Sequence, residues 1–119
     1  MIAVIFEVMP HDEHKDEYFK IAAELKPVLE KVEGFISVER FQSINDPGKI
    51  LSLSFWKDEE SVKKWRNIEV HRSAQSEGRK NIFRDYHLRI AEVHRDYGMY
   101  DRQEAPEDSK SFHNSQSKA

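Results

Sequence analysis

Six side chains in this 119-residue chain stand out as candidates for chemistry near neutral pH: His71, Glu7, Trp65, Trp56, Ser52 and Ser54. Histidine is the usual general base in that pH range, and His71 follows Trp65 by six positions on what reads as one helical segment. Glu7 sits in an otherwise apolar run, where desolvation would raise its pKa and make it a second candidate base. Trp56 and Trp65 could wall a flat ligand, and Ser52 and Ser54 are small enough to leave room beneath it. Each has a plainer reading. His71 fits a partly exposed helix position, Glu7 a carboxylate paired with an arginine such as Arg66 or Arg79, and the tryptophans a core.

Other chemistries lack their residues. The chain has no cysteine, so it has no disulfide framework, thiolate nucleophile or cysteine-based metal site. His11 and His14 stand at a solvated helix start. His87 and His94 are seven apart on one predicted strand and point to opposite faces, so no metal centre is expected. There is no P-loop, dinucleotide fingerprint, nucleophile elbow or HExxH motif. Net charge is −3, from 19 basic and 22 acidic residues, which gives no electrostatic case for nucleic acid. Mean hydropathy is −0.81 and the longest apolar run, Ile2 to Phe6, is far short of the roughly 20 residues a bilayer requires. With no signal-peptide pattern at the start, the expected location is cytoplasmic.

The elements that must hold the six residues follow from period. Ile2 to Met9 is apolar on both alternating sets, which predicts a central strand. From Asp12, a predicted N-cap, Tyr18, Ile21, Ala22, Leu25, Val28, Leu29 and Val32 take helical spacing, with a bend at Pro27 and a stop at Gly34. Phe35 to Ile44 and Lys49 to Trp56 form a hairpin around Pro47-Gly48, placed for a type II turn. Asp58 caps a second helix that falters near Asn67 and resumes to Gly78. Tyr86 to Arg95 is the last strand. The order βαββαβ predicts an α+β, ferredoxin-like fold: a four-stranded antiparallel sheet with two main helices on one face. Residues 1–100 form the domain, and residues 101–119 are polar and expected to be a flexible tail.

One sheet face has no helix to cover it. Pairing Val4, Phe6 and Val8 with Leu51, Leu53 and Phe55 makes that face apolar, and such patches mark interfaces. A homodimer centred on Phe6, Leu53 and Phe55 is expected. The helix-facing side then carries Glu7 above Ser52, Ser54 and Trp56, with either a cavity or closely seated helices over them.

These features together resemble the antibiotic biosynthesis monooxygenase superfamily over about residues 2 to 96. The resemblance rests on Glu33-Gly34-Phe35, on Ile50-Leu51-Ser52-Leu53-Ser54-Phe55-Trp56, and on Asp58-Glu59-Glu60-Ser61-Val62 with Trp65 and His71. It implies a dimeric α+β barrel and a cofactor-independent monooxygenase acting on a small aromatic, quinol or enolisable substrate. In that reading His71 or Glu7 is the base, and Trp65, Trp56, Ser52 and Ser54 contact the substrate. The alternatives are a heme-binding or heme-degrading monooxygenase and a non-catalytic dimeric module for a small hydrophobic ligand. Trp65 matches the tryptophan of the heme-degrading branch, whereas Glu7 and Gln75 stand where that branch has asparagine and histidine.

Overall fold

The structure is a computed structural model that describes residues 1–74 and 82–110, with side chains described outside 69–74. Strand β1 (Ile2–Pro10) leads through a 3-10 turn (Asp12–His14) into helix α1 (Lys15–Glu30). Strands β2 (Phe35–Gln42) and β3 (Ile50–Trp56), helix α2 (Glu59–Ala74) and strand β4 (Phe83–Glu92) complete the βαββαβ order. The sheet is antiparallel in the order β2-β3-β1-β4, so the apolar β1 lies centrally, as its composition predicts.

Local chemistry fixes the joints. Pro27 lies inside α1, which runs on to Glu30. Gly34 then adopts φ +90°, the left-handed region glycine enters without strain. A Cβ there would collide with the Ser61 side chain. The Gly34 carbonyl accepts from Lys57 N (2.7 Å), pinning the α1–β2 turn to the start of α2. Asp58 Oδ1 accepts from Ser61 N (2.9 Å) and Ser61 Oγ (2.7 Å), the N-cap the sequence predicts.

Several local expectations change, and the last strand runs Phe83–Glu92 in place of Tyr86 to Arg95. Asp12 opens a 3-10 turn and not α1, which starts at Lys15. The hairpin turn closes with Lys49 N on Asp46 O, but Gly48 lacks the positive φ of a type II turn. Asp46 Oδ1 instead accepts from Gly48 N and holds the turn (3.1 Å). Helix α2 does not falter at Asn67; it is continuous to Ala74. Residues 75–81 and 111–119, including Gln75, Gly78 and Arg79, lie outside the described residues. Within the described tail, Arg102 donates to Gly98 O (3.1 Å) and stacks over Tyr97 (5.4 Å).

The sheet register carries the largest correction. Directly opposed residues of an antiparallel pair share a face, and the pairs are Ile2–Trp56, Val4–Ser54, Phe6–Ser52 and Val8–Ile50. That set is the helix side. One core cluster joins Ile2 and Trp56 to Leu29 of α1 and Val62 of α2, and a second joins Val8, Tyr18, Ile50 and Ile82. Ala3, Ile5 and Glu7 therefore share the open face with Leu51, Leu53 and Phe55. Phe6 belongs under the helices, so the centre of the open face is Ile5, Leu53 and Phe55.

Candidate functional site

Trp56 ends β3 and is 1% exposed. Its Nε1 donates to Ser54 Oγ at 2.9 Å, both partners buried, and Phe35 meets its ring edge-on at 5.4 Å. Trp65, on the inner side of α2, packs against the same cluster of Ile2, Leu29, Trp56 and Val62. Ser54 is thus small because an indole folds over it and needs an acceptor. At this point the helices seat closely on the sheet, which is the second of the two expected arrangements, and side chains occupy the space around Trp56, Trp65 and Ser54. Ser52 is half-buried on the same face, opposite Phe6.

Glu7 is on the other side of the sheet from all four. Lys49 stands two residues before Leu51, the partner of Glu7, and so keeps to the same face; Arg89 lies diagonally across on β4. Lys49 Nζ comes within 3.1 Å of one Glu7 carboxylate oxygen and Arg89 Nη1 within 3.3 Å of the other. The hydrogen bond from Lys49 outweighs desolvation, and the charges of Lys49, Arg89 and His87 add to it, so the Glu7 carboxyl sits below its ordinary range. Burial was expected to raise it. A clamped carboxylate held ionised is a poor general base at neutral pH. Its partners are Lys49 and Arg89, and not Arg66.

A carboxyl whose pKa is lowered by folding stabilises the fold above its unfolded value and loses that contribution as pH falls through the lowered one. Wild-type melting temperature is therefore expected to drop from about pH 4.5 downward. Glu7→Gln should melt lower than wild type at pH 7 and show a shallower acid limb. Parallel melting curves from pH 7 to pH 3 would contradict the clamp.

His71 lies on the second half of α2, about 9 Å along the axis from Trp65 at helical rise; its side chain lies outside the described residues. Concavities open elsewhere among the described residues, and two of them are well defined. The larger, about 680 Å³, runs between the end of α1 and α2 and is lined by Val28, Lys31, Val32, Glu33, Lys64, Asn67 and Ile68. The other lies at the hairpin end of the sheet. Neither is lined by the sequence candidates.

The helix side of β4 supplies what the sequence reading missed. Ile90, Leu88 and Tyr86 pair with Val4, Phe6 and Val8 and so face the helix side, yet they are 43%, 48% and 59% exposed. Phe6 packs edge-on to Tyr86 (5.6 Å) and Phe83 (6.0 Å), and Phe83 to Tyr18 (5.9 Å). The result is an aromatic and aliphatic floor beside the helix layer, with the Tyr86 phenol on its exposed part. The alternation of Tyr86, Leu88 and Ile90 was visible in the sequence, but it has no meaning until β1 is given its phase.

A family model described as antibiotic biosynthesis monooxygenase matches residues 1–77. The jasmonate monooxygenase ABM of Pyricularia oryzae is 47% identical over 93 residues, covering 78% of this chain and 43% of that protein. The chain thus spans less than half the length of this relative. An uncharacterized protein of Bacillus subtilis, YqjZ, is 27% identical over 93 residues, covering 78% of this chain and 79% of that one. A Deinococcus radiodurans structure assigned to the antibiotic biosynthesis monooxygenases superposes with a TM-score of 0.70 at 11% identity, covering 82% and 97% of the two chains. The heme-degrader MhuD of Mycobacterium tuberculosis, with two hemes bound in its active site, gives 0.66 at 16% identity, covering 82% and 100%. At these identities the solved structures show the fold.

Proposed function

The chain belongs to the antibiotic biosynthesis monooxygenase family, and from that premise we propose a monooxygenase of small enolisable ring compounds that needs no bound cofactor. The observation that carries this reading is the 47% identity to a jasmonate monooxygenase across 78% of the chain. A substrate of that kind joins an apolar ring to a polar, enolisable group. The floor of Phe6, Tyr86, Leu88 and Ile90 suits the ring, and the Tyr86 hydroxyl suits the polar group.

His71 is the proposed base. It takes a proton from an activated C–H or phenolic O–H, and the resulting anion is electron-rich enough to reduce dioxygen directly. One oxygen atom enters the product as a carbonyl while the other leaves as water, with the substrate supplying all the electrons. A simple hydroxylation would need two further electrons from a reductant. The chain's part is to fix the ring, exclude water around the anion and hold the proton on His71. Glu7 has no role in this scheme, because it lies across the sheet in its Lys49–Arg89 clamp.

The proposed assembly is a homodimer across the open face of Ile5, Leu53 and Phe55, at a cytoplasmic location. Heme is the second reading, prompted by the MhuD likeness. The described residues do not fit it. Glu7, which stands where that branch has an asparagine, lies on the open face in its Lys49–Arg89 clamp, and Trp65 packs against the core cluster. Oxygen uptake with a panel of quinols, anthrones and jasmonate, with and without reductant, tests the first reading. A visible spectrum after adding hemin tests the second, and no Soret shift is expected.

A further inference from the structure

We infer that the hairpin end of the sheet is a binding site for a small organic carboxylate with an apolar body, held by Arg40 and Lys15. A concavity of about 330 Å³ opens there, lined by Lys15, Phe19, Arg40, Phe41, Gln42 and Ile50. It lies at the opposite end of β3 from Trp56, roughly 20 Å along the strand. Binding there is measured without turnover, so this inference stands apart from the oxygenase reading.

The charge of the site is one-sided. Both ionisable groups that line it are cations, and no carboxylate lines it. Among the described residues no ion pair joins either cation to an acidic side chain. Arg40 reaches the helix side of β2, opposite Ser52, and its Nε is shut off from solvent with no hydrogen-bond partner. A buried guanidinium N–H without an acceptor is costly and uncommon in folded proteins. The fork of donors it belongs to matches a carboxylate in shape and charge.

The hairpin turn sets the second cation. The Pro47 carbonyl accepts from Gln42 Nε2 at 2.8 Å and from Lys15 Nζ at 3.4 Å, which brings both side chains to one lip of the concavity. An ammonium has three N–H donors, so Lys15 keeps two for a ligand. The remaining walls are apolar. The Phe19 ring is well exposed for its size, and Ile50 forms the base. An inorganic anion would use the cations and leave this apolar surface wet, whereas a carboxylate on a hydrocarbon body uses both. The volume is at the small end of ligand sites.

The test uses the full chain, with cyclohexylacetate as probe and its methyl ester and sodium sulfate as controls. The Nε–Hε resonance of Arg40 should shift and saturate on titration with cyclohexylacetate. Calorimetry should show the ester binding about ten-fold more weakly or worse, since it loses the charge-assisted hydrogen bonds. Arg40→Met should weaken the acid to a similar extent and Lys15→Met should weaken it less, with melting curves confirming that both fold. If a variant fails to fold, the wild-type resonance and the acid-to-ester ratio decide. An unmoved Arg40 resonance, equal binding of acid and ester, or sulfate binding as tightly as the acid would each overturn the inference.

Discussion

Replacing Trp56 with alanine will destabilise the fold by about 3–5 kcal/mol, the range for emptying a large aromatic site in a core. The indole is almost wholly enclosed, joins β3 to Leu29 of α1 and Val62 of α2, and donates its only hydrogen bond to buried Ser54. Its loss would leave a void bounded by both helices and a serine hydroxyl without its donor. Trp56→Phe should recover most of the packing and none of the hydrogen bond, so its cost should be clearly smaller. Urea unfolding followed by circular dichroism measures both. A Trp56→Ala variant that keeps its stability and loses only ligand affinity would show that the side chain walls a pocket after all.

Leu53→Asp has the second large effect. Leu53 lies mid-strand on the open face between Ile5 of β1 and Glu39 of β2, with Phe55 next along the same face. If a second copy covers this face, an aspartate there becomes a desolvated charge without a partner, which costs several kcal/mol per site. Sedimentation velocity at micromolar concentration should show a dimer for the wild type and a monomer for the variant. Leu53→Ala, gentler on the fold, should dissociate at higher concentrations than wild type while keeping its helix signal. A wild-type protein that sediments as a monomer would remove the basis for the interface.

The helices, strands and their order were legible because each has a period of its own. Tyr18 through Val32 repeat at helical spacing, and β2 and β3 are separated by a turn rich in Asn, Asp, Pro and Gly. The site was not legible, for one reason. Strand β1 is apolar on both sets of alternating residues, so period alone cannot say which set faces the helices, and a one-residue slip exchanges the faces. That slip put Glu7 above Ser52 and Trp56, and Phe6 into the interface. Only the pairing of Phe6 with Ser52 resolves it. The two serines misled in a related way. Small residues beneath helices suggest room, but Ser54 is small because it accepts from Trp56. The exposed side chains of β4 acquire their meaning from the same register, since Leu88 matters only once Phe6 is known to lie on its face.

The most direct measurement is turnover of jasmonate and of an anthrone or quinol under ¹⁸O₂, in chelator-treated buffer, followed by mass spectrometry. Incorporation of one ¹⁸O atom per product molecule, unchanged by the chelator and lost in His71→Ala at unchanged melting temperature, is the predicted result. Products without label, or labelled products formed only after hemin is added, would contradict a cofactor-independent monooxygenase.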